Sequence, residues 1–378
     1  MPRFAPLTPG RALNVTRRVS RASASGDNVS TSKRFQRSAI VCAALRDDQL
    51  SRALRTIDTG SLMRGVIENT VPATPASPPS TSSNIETATS AAASDADAFV
   101  LQGPEPRKFA VADGELANVL SASGSFITRA VSGALCEGWT PSVVEGECPP
   151  GTYTLGEFGG RYLKETSDVG MFPRPEITLE LYEFEGCPFC RKVREAVVWL
   201  DLDVIVYPCP QGGPTYREFV KSDGGKSQFP FLVDKNTGKK MYESDDIIDY
   251  LYETYGPGKD RVPSLLRAGA LTILTAGFGL APRLGAGSRY RTAKKPDTPV
   301  TIWSYEASPF CKLVREKLVE LEIPHLMRSV GRGSPKRQEL MDRRGVFQAP
   351  YIEDPNTGVA LFESAAIVKY LEDTYASV

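Results

Sequence analysis

The stretch EFEGCPFCRKVRE at residues 183–195 returns at 304–316 as SYEASPFCKLVRE. At an offset of 121, Glu185, Pro188, Phe189, Cys190, Val193, Arg194 and Glu195 match Glu306, Pro309, Phe310, Cys311, Val314, Arg315 and Glu316. A second match follows at an offset of 120, where QFPFLVDKNTGKKMYESDDIIDYLYETY (228–255) meets QAPYIEDPNTGVALFESAAIVKYLEDTY (348–375). Two copies of one supersecondary unit explain both matches, so whatever this chain folds into has to be built twice. The copies differ at one chemically decisive place: Cys187 in the first is Ser308 in the second.

Each copy has a readable order. ITLELYEFE alternates and then runs apolar, as a short strand does. PFCRKVREAVVWLDL has helical spacing, with proline in the first turn where its missing N–H does no harm. DVIVYP reads as a strand and PTYREFVKS as a helix, while FPFLVD and KKMYE flank an Asn-Thr-Gly turn and form a hairpin. SDDIIDYLYETYG opens on Ser244 as a helix cap and stops at Gly256. The order βαβ-α-ββα, with CxxC at the first strand-to-helix turn, is a thioredoxin-like layout. The expected fold class is α/β, with two tandem thioredoxin-like domains at 177–258 and 299–378 behind a disordered N-terminal region.

Residues 1–43 hold eight Lys or Arg and Asp27 as their only acid. That Arg- and Ser-rich, acid-poor composition reads as a transit peptide over 1–44, processed near IVCAA at 40–44, with a chloroplast destination favoured. A disordered basic tail is the alternative. Without residues 1–43 the chain has 37 basic against 44 acidic residues, a balance that argues against nucleic-acid binding. Residues 45–98 are mostly a Pro/Ser/Thr/Ala linker unable to bury a core, apart from a short helix expected at 47–69. Residues 99–175 form an N-terminal extension without an assigned role: helical spacing over 113–136, then turns over EGWTPSVVEGECPPGTYTLGEFGGRY. Residues 259–298 link the copies through an apolar stretch, uncharged over 268–282 and bracketed by Arg267 and Arg283. Fifteen residues are too few for an ordinary span, so a packed helix is expected there, with membrane-surface contact through 264–282 as the alternative.

Seven cysteines and one histidine narrow the chemistry. Only Cys187 and Cys190 are paired at a ligand spacing, short of a zinc set. Cys136 and Cys148 are read as free thiols rather than a disulfide. His325 falls in a strand, where a half-buried structural histidine is expected. Cys187 precedes a helix, whose free N–H groups and dipole favour a thiolate, and Cys190 one turn later stands ready to resolve a mixed disulfide. Glu183 and Glu185 work against that by raising thiol pKa values. Pro230 and Pro350 each precede an apolar strand, and Glu243-Ser244 and Glu363-Ser364 open the last helix of each copy.

On CPFC…FP…YES the chain resembles the N-terminal, glutathione-binding domain of glutathione S-transferases, crossed with glutaredoxin at its active site. Residues 177–378 are similar to plastid proteins of plants and algae with two such domains in tandem. The resemblance implies that both prolines are cis and that the residue before each pairs with the glutathione backbone. It implies that Glu-Ser takes the γ-glutamyl end and that the helix-entry Cys or Ser faces the glutathione sulfur. Carried over, Cys187, Phe229, Pro230, Glu243 and Ser244 serve copy one, and Ser308, Ala349, Pro350, Glu363 and Ser364 serve copy two.

Two departures qualify the resemblance. Glutaredoxins usually carry a basic residue before CxxC, where this chain has acids. Complete transferases also have an all-helical domain that forms the electrophile pocket, for which some 40 residues between the copies leave no room, so that residues 99–175 or a partner would have to supply it. The expectation is a plastid, stromal glutathione-dependent thiol–disulfide oxidoreductase acting on protein disulfides or glutathionylated proteins, with Cys187 as nucleophile and Cys190 as resolving thiol. Thylakoid association is the alternative for its location. Ser308 stabilises a thiolate without forming a disulfide, so copy two either binds or is a structural half. A non-catalytic glutathione-binding or scaffold module, and a glutathione transferase, are the competing readings.

Overall fold

The computed structural model describes residues 98–107, 110–129 and 132–377. The transit peptide read at 1–44, the helix expected at 47–69 and nearly all of the 45–98 linker lie outside the described residues. Ahead of the first copy come β1 (Val100–Gln102), α1 (Leu116–Ala122), α2 (Gly124–Arg129), β2 (Thr140–Glu145), β3 (Glu157–Phe158) and β4 (Arg161–Thr166). Copy one is β5 (Leu179–Glu183), α3 (Pro188–Trp199), β6 (Val204–Pro208), α4 (Tyr216–Gly224), β7 (Phe231–Asp234), β8 (Lys239–Met241) and α5 (Ser244–Tyr255). After α6 (Ser264–Arg267) and α7 (Ala270–Leu280), copy two repeats the order as β9 (Val300–Ser304), α8 (Pro309–Glu320), β10 (His325–Ser329), α9 (Lys336–Arg344), β11 (Tyr351–Asp354), β12 (Val359–Phe362) and α10 (Ser364–Tyr375).

Each copy is therefore an α/β thioredoxin-like unit, and its repeated polar residues hold the hairpin to the last helix. Asp234 Oδ1 accepts the Asn236 N–H at 2.8 Å, and its Oδ2 accepts the hydroxyls of Tyr250 and Tyr255, each at 2.6 Å. Asp354, Asn356, Tyr370 and Tyr375 repeat the arrangement. An Asx turn closed this way explains why Asp, Asn-Thr-Gly and the paired tyrosines recur together.

The copies join edge to edge through antiparallel β6 and β10, so the strands form one sheet of order β1-β12-β11-β9-β10-β6-β5-β7-β8. Ile205 faces Leu326, while Val204 faces Met327 and Val206 faces His325. Since Val204, Ile205 and Val206 correspond to His325, Leu326 and Met327 at offset 121, a pseudo-twofold axis passes between Ile205 and Leu326. One apolar core runs across this seam, taking Leu181, Val197, Leu200 and Val206 from copy one and Ile302, Val314, Leu318 and Met327 from copy two.

The repeat is also longer than the two copies. Val119, Leu120, Ala122, Arg129 and Gly133 match Ile273, Leu274, Ala276, Arg283 and Gly287 at an offset of 154. Each of these arms crosses to the other copy: α1 packs on α8, and α7 packs on α3. Leu135 bridges Arg332 in copy two, and Arg289 bridges Gln211 in copy one. The arm offset exceeds the copy offset by 33, the length of an insertion that follows the first arm. That insertion corrects the expectation of turns over 137–162. It is a three-stranded antiparallel sheet in which Val143 and Val144 pair with Leu163 and Tyr162. Helix α7 is packed, and among the described residues no helix is long and apolar enough to cross a membrane.

Candidate functional site

In copy one the chain enters α3 at Cys187, whose extended backbone (φ −96°, ψ 120°) makes it the helix N-cap. The Cys190 N–H donates to Cys187 Sγ at 3.3 Å, so the thiol takes the place of a capping hydroxyl. Burial pushes the Cys187 thiol up, yet hydrogen bonds from the Cys190 side chain and N–H and from the Phe189 N–H outweigh it and bring the pKa below the ordinary value, against the charge of Glu183. Cys190 goes the other way: burial, its hydrogen bond to Cys187 and the nearby charges hold it as a thiol. The two sulfurs are thus shifted in opposite directions, Cys187 towards the thiolate and Cys190 towards the thiol. Phe189, between the two cysteines, is 47% exposed.

The remaining groups expected for copy one lie just ahead of β7 and at the start of α5, which packs on α3. The Phe229–Pro230 bond is cis and leads into β7, and the Phe229 ring meets Phe184 edge-on at 6.0 Å. Gln228 Nε2 donates to Glu243 Oε1 at 2.6 Å, and the Lys192 ammonium contacts the Asp245 carboxylate, tying α3 to the first turn of α5. Ser244 is not the N-cap. Glu243 is, because its carbonyl already accepts the Ile247 N–H at 2.9 Å, and its φ of 65° turns the chain into the helix. Ser244 sits buried at the first helical position.

One residue at this site escaped sequence reasoning. Arg217 on α4 donates from Nε to the carbonyls of Cys209 and Pro210 at 2.9 and 2.7 Å. Its guanidinium lies 4.7 Å from the Phe229 ring centroid and 5.6 Å from that of Phe184. Burial lowers its pKa, opposed by the charges that Cys209, Cys190 and Cys187 carry as thiolates. A cation thus lies against Phe184 and Phe229, brought by another helix. Arg337, its counterpart at offset 120, was the available signal. Glu185, expected to raise the thiol pKa values, instead lies among Arg194, Arg315 and Lys312.

Copy two has the same frame with its entrance taken. Ser308 caps α8 through the Cys311 N–H at 3.2 Å, and Ala349–Pro350 is cis. Glu363 is again the N-cap ahead of Ser364, but its Oε1 accepts the Arg107 N–H at 2.9 Å as well as Gln348 Nε2 at 2.6 Å. β1 runs parallel along β12, and Val111 and Phe310 pack against the same cluster of Val119, Ala122 and Leu313. Arg337 repeats the Nε contacts to Val330 and Gly331, while its Nη1 donates to the hydroxyl of Tyr153 from the insertion at 2.5 Å. Tyr153 also meets Phe347 edge-on at 4.9 Å. Arg107 and Tyr153 thus lie on Ser308's half, whereas Cys187's half has Glu243 and Phe189 at the surface.

The family model described as glutathione S-transferase, N-terminal domain, matches residues 181–259 and 303–378, once on each copy. No curated protein matches the chain. Among solved structures, a glutathione transferase of Bombyx mori is 24% identical, with 24% of this chain and 42% of that one covered and a TM-score of 0.22. A trimeric glutathione transferase of Leishmania is 16% identical, with 53% and 68% covered and a TM-score of 0.20. The two family matches agree with the fold: each copy is a thioredoxin-like unit similar to a glutathione S-transferase N-terminal domain.

Proposed function

We propose that copy one is a glutathione-dependent thiol–disulfide oxidoreductase of glutaredoxin-like type, with Cys187 as nucleophile and Cys190 as resolving thiol. The observation that carries this reading is the opposed tuning of the two sulfurs around the 3.3 Å hydrogen bond from Cys190 N–H to Cys187 Sγ. The residues present fit a tripeptide with two carboxylates. Among the described residues the Arg217 Nη groups make no hydrogen bond, so they are available for one carboxylate. The N-terminal N–H groups of α5 with Ser244 suit the other, and Glu243 suits an amine. The backbone of Phe229, set by cis-Pro230, is the expected pairing edge. Glutathione supplies the reducing thiol when bound. The chain supplies the Cys187 thiolate that opens the substrate disulfide and the Cys190 thiol that closes the cycle. Residues 1–44 are the reason to place this activity in the plastid stroma.

For copy two we favour the binding or structural reading, because Glu363, the residue that would take the amine, already accepts the Arg107 N–H. A transferase reading requires an electrophile pocket beside Cys187, whereas β1, Arg107 and Tyr153 contact copy two. The test is reduction of a glutathionylated peptide by the full chain with glutathione and a recycling reductase, beside Cys187→Ser. Turnover that disappears in the variant supports the oxidoreductase. Glutathione binding without turnover points to the binding module, and conjugation of a model electrophile points to the transferase.

A further inference from the structure

Copy two shows what its outer edge can hold. β1 runs parallel to β12, with Val100 beside Val359, Leu101 beside Ala360 and Gln102 beside Leu361, and the Val100 N–H donates to the Gly358 carbonyl at 2.8 Å. Phe99 packs on the aromatic cluster that contains Tyr351 and Phe362. A Cβ on Gly103 would stand 3.0 Å from Leu361 Cδ2 and 3.7 Å from Ala366 Cβ. Further on, the Arg107 N–H reaches Glu363 Oε1 at 2.9 Å. Residues 99–107 thus pair with the edge strand and then run on to the start of the last helix.

Copy one has the same edge without such a segment. β8 ends the sheet, so among the described residues no strand pairs with its outer side. Gly238 repeats the φ of Gly358, 72° against 71°. A Cβ there would meet nothing within 4 Å, whereas one on Gly358 would stand 4.0 Å from the Ala98 carbonyl oxygen. The aromatic floor is kept: the Phe231 and Tyr242 rings lie 4.5 Å apart at 33°, as Tyr351 and Phe362 do at 34°. Tyr242 is half-buried where Phe362 is buried.

What changes along this track is charge. Val359 and Ala360 are buried, but their counterparts Lys239 and Lys240 are exposed. Lys239 Nζ lies 5.6 Å from the Tyr250 ring centroid, and Lys240 Nζ lies 2.7 Å from Asp223. At the helix start, Ala365 and Ala366 give way to exposed Asp245 and Asp246, next to exposed Glu243. Lysines on an edge repel an apolar strand such as β1. Opposite charges on neighbouring strands stabilise the pair instead.

We propose that β8 docks the protein substrates of copy one as an added parallel strand. The segment it fits has an aromatic residue where Phe99 stands, acids beside Lys239 and Lys240, and a base where Arg107 stands, near Glu243 and Asp246. The main chain of such a segment supplies affinity and its side chains supply selection. The proposal rests on the oxidoreductase reading of copy one. Because the track ends where Glu243-Ser244 opens α5, a segment docked on β8 is led towards the groups expected to hold glutathione.

The probe is a fluorescent, end-capped peptide of residues 97–107 carrying Val100→Glu and Leu101→Glu, titrated with the full chain and followed by anisotropy. It is expected to bind once per chain, and Lys239→Glu with Lys240→Glu in the chain should weaken it about tenfold. N-methylation of the peptide at position 100 removes the N–H that would pair with the Gly238 carbonyl and leaves every charge in place. It should also weaken binding about tenfold. Equal affinity of the N-methylated peptide would mean that charge alone attracts it. No binding of the Glu-bearing peptide would mean that the lysines only guard the edge, and either result overturns strand docking. With Pro106→Cys, glutathionylated, the probe becomes a substrate, for which the two lysine changes should raise KM about tenfold and spare kcat. An unchanged KM would overturn the substrate role. No turnover by the unaltered chain, with binding intact, would instead sink the oxidoreductase reading of copy one.

Discussion

Arg194 of copy one donates from Nε to Glu306 of copy two at 2.9 Å, and the mate of that contact joins Arg315 Nε to Glu185 at 3.1 Å. Each carboxylate lies between both guanidiniums, since Arg194 also reaches Glu185 at 3.0 Å and Arg315 reaches Glu306 at 2.9 Å. Arg191 and Lys312 extend the network, and the two arms close it, Arg129 on Glu195 and Arg283 on Glu316. The charges repeated most faithfully along the chain are thus the ones that meet across the pseudo-twofold axis.

Removing one member strands its partners out of water. Arg194→Met is expected to destabilise the chain by about 3–5 kcal/mol, the usual range for breaking a buried ion pair. Because one core spans both copies, urea unfolding followed by fluorescence and by circular dichroism should still give one shared transition. Two separated transitions would show that the copies fold independently.

The arms bring backbone against this network at Gly133 and Gly287, with φ of 78° and 68°. A Cβ on Gly133 would stand 2.7 Å from Glu306 Cβ, and one on Gly287 would stand 2.7 Å from Glu185 Cβ. Gly133→Ala or Gly287→Ala should therefore cost about 2–4 kcal/mol through strain and overpacking together. Gly114→Ala, also at positive φ but facing open space, should cost about 1 kcal/mol. Equal losses at Gly114 and Gly133 would remove the close-approach argument.

His325 lies fully buried at the seam, its Nδ1 3.0 Å from the Ile323 carbonyl. Burial, together with Arg315 and Arg194, lowers its pKa from 6.5 to about 4, against the pull of the Ile323 carbonyl and Glu185. Below pH 6.5 the unfolded chain takes up a proton that the folded chain refuses, so stability falls as pH drops from 6.5 towards 4. The loss is on the order of 3 kcal/mol when complete. His325→Gln should flatten that part of the stability–pH curve; an unchanged slope would assign acid sensitivity to other groups.

Glutathione titrated calorimetrically into the full chain should bind at one site per chain. Arg217→Ala should weaken that site about ten- to a hundredfold, the range for losing a hydrogen-bonded charge contact. Ser364→Ala should leave it unchanged, because Glu363 is already engaged by the chain's own Arg107 N–H. Two equivalent sites in the wild type would mean that the cover over copy two yields to ligand.

The sequence by itself determined that two thioredoxin-like units follow one another, since CPFC against SPFC, the Asn-Thr-Gly turns and the Glu-Ser helix starts are local patterns with local causes. Strand order within each copy, the helix entry at Cys187 and the prolines before β7 and β11 were legible for the same reason. The arms were readable only in part, because Arg129/Arg283 and Gly133/Gly287 recur at a different offset from the copies. The insertion's β2–β4 sheet hid behind its glycines and prolines. Only the tertiary structure decided that β6 meets β10, that Glu185 neutralises arginines rather than opposing a thiol, that Arg217 on α4 lies against Phe184 and Phe229, and that Arg107 and Tyr153 contact copy two. Each of these joins residues distant in sequence, and the free energy that selects it comes from burying charge and apolar surface together, which no local pattern encodes.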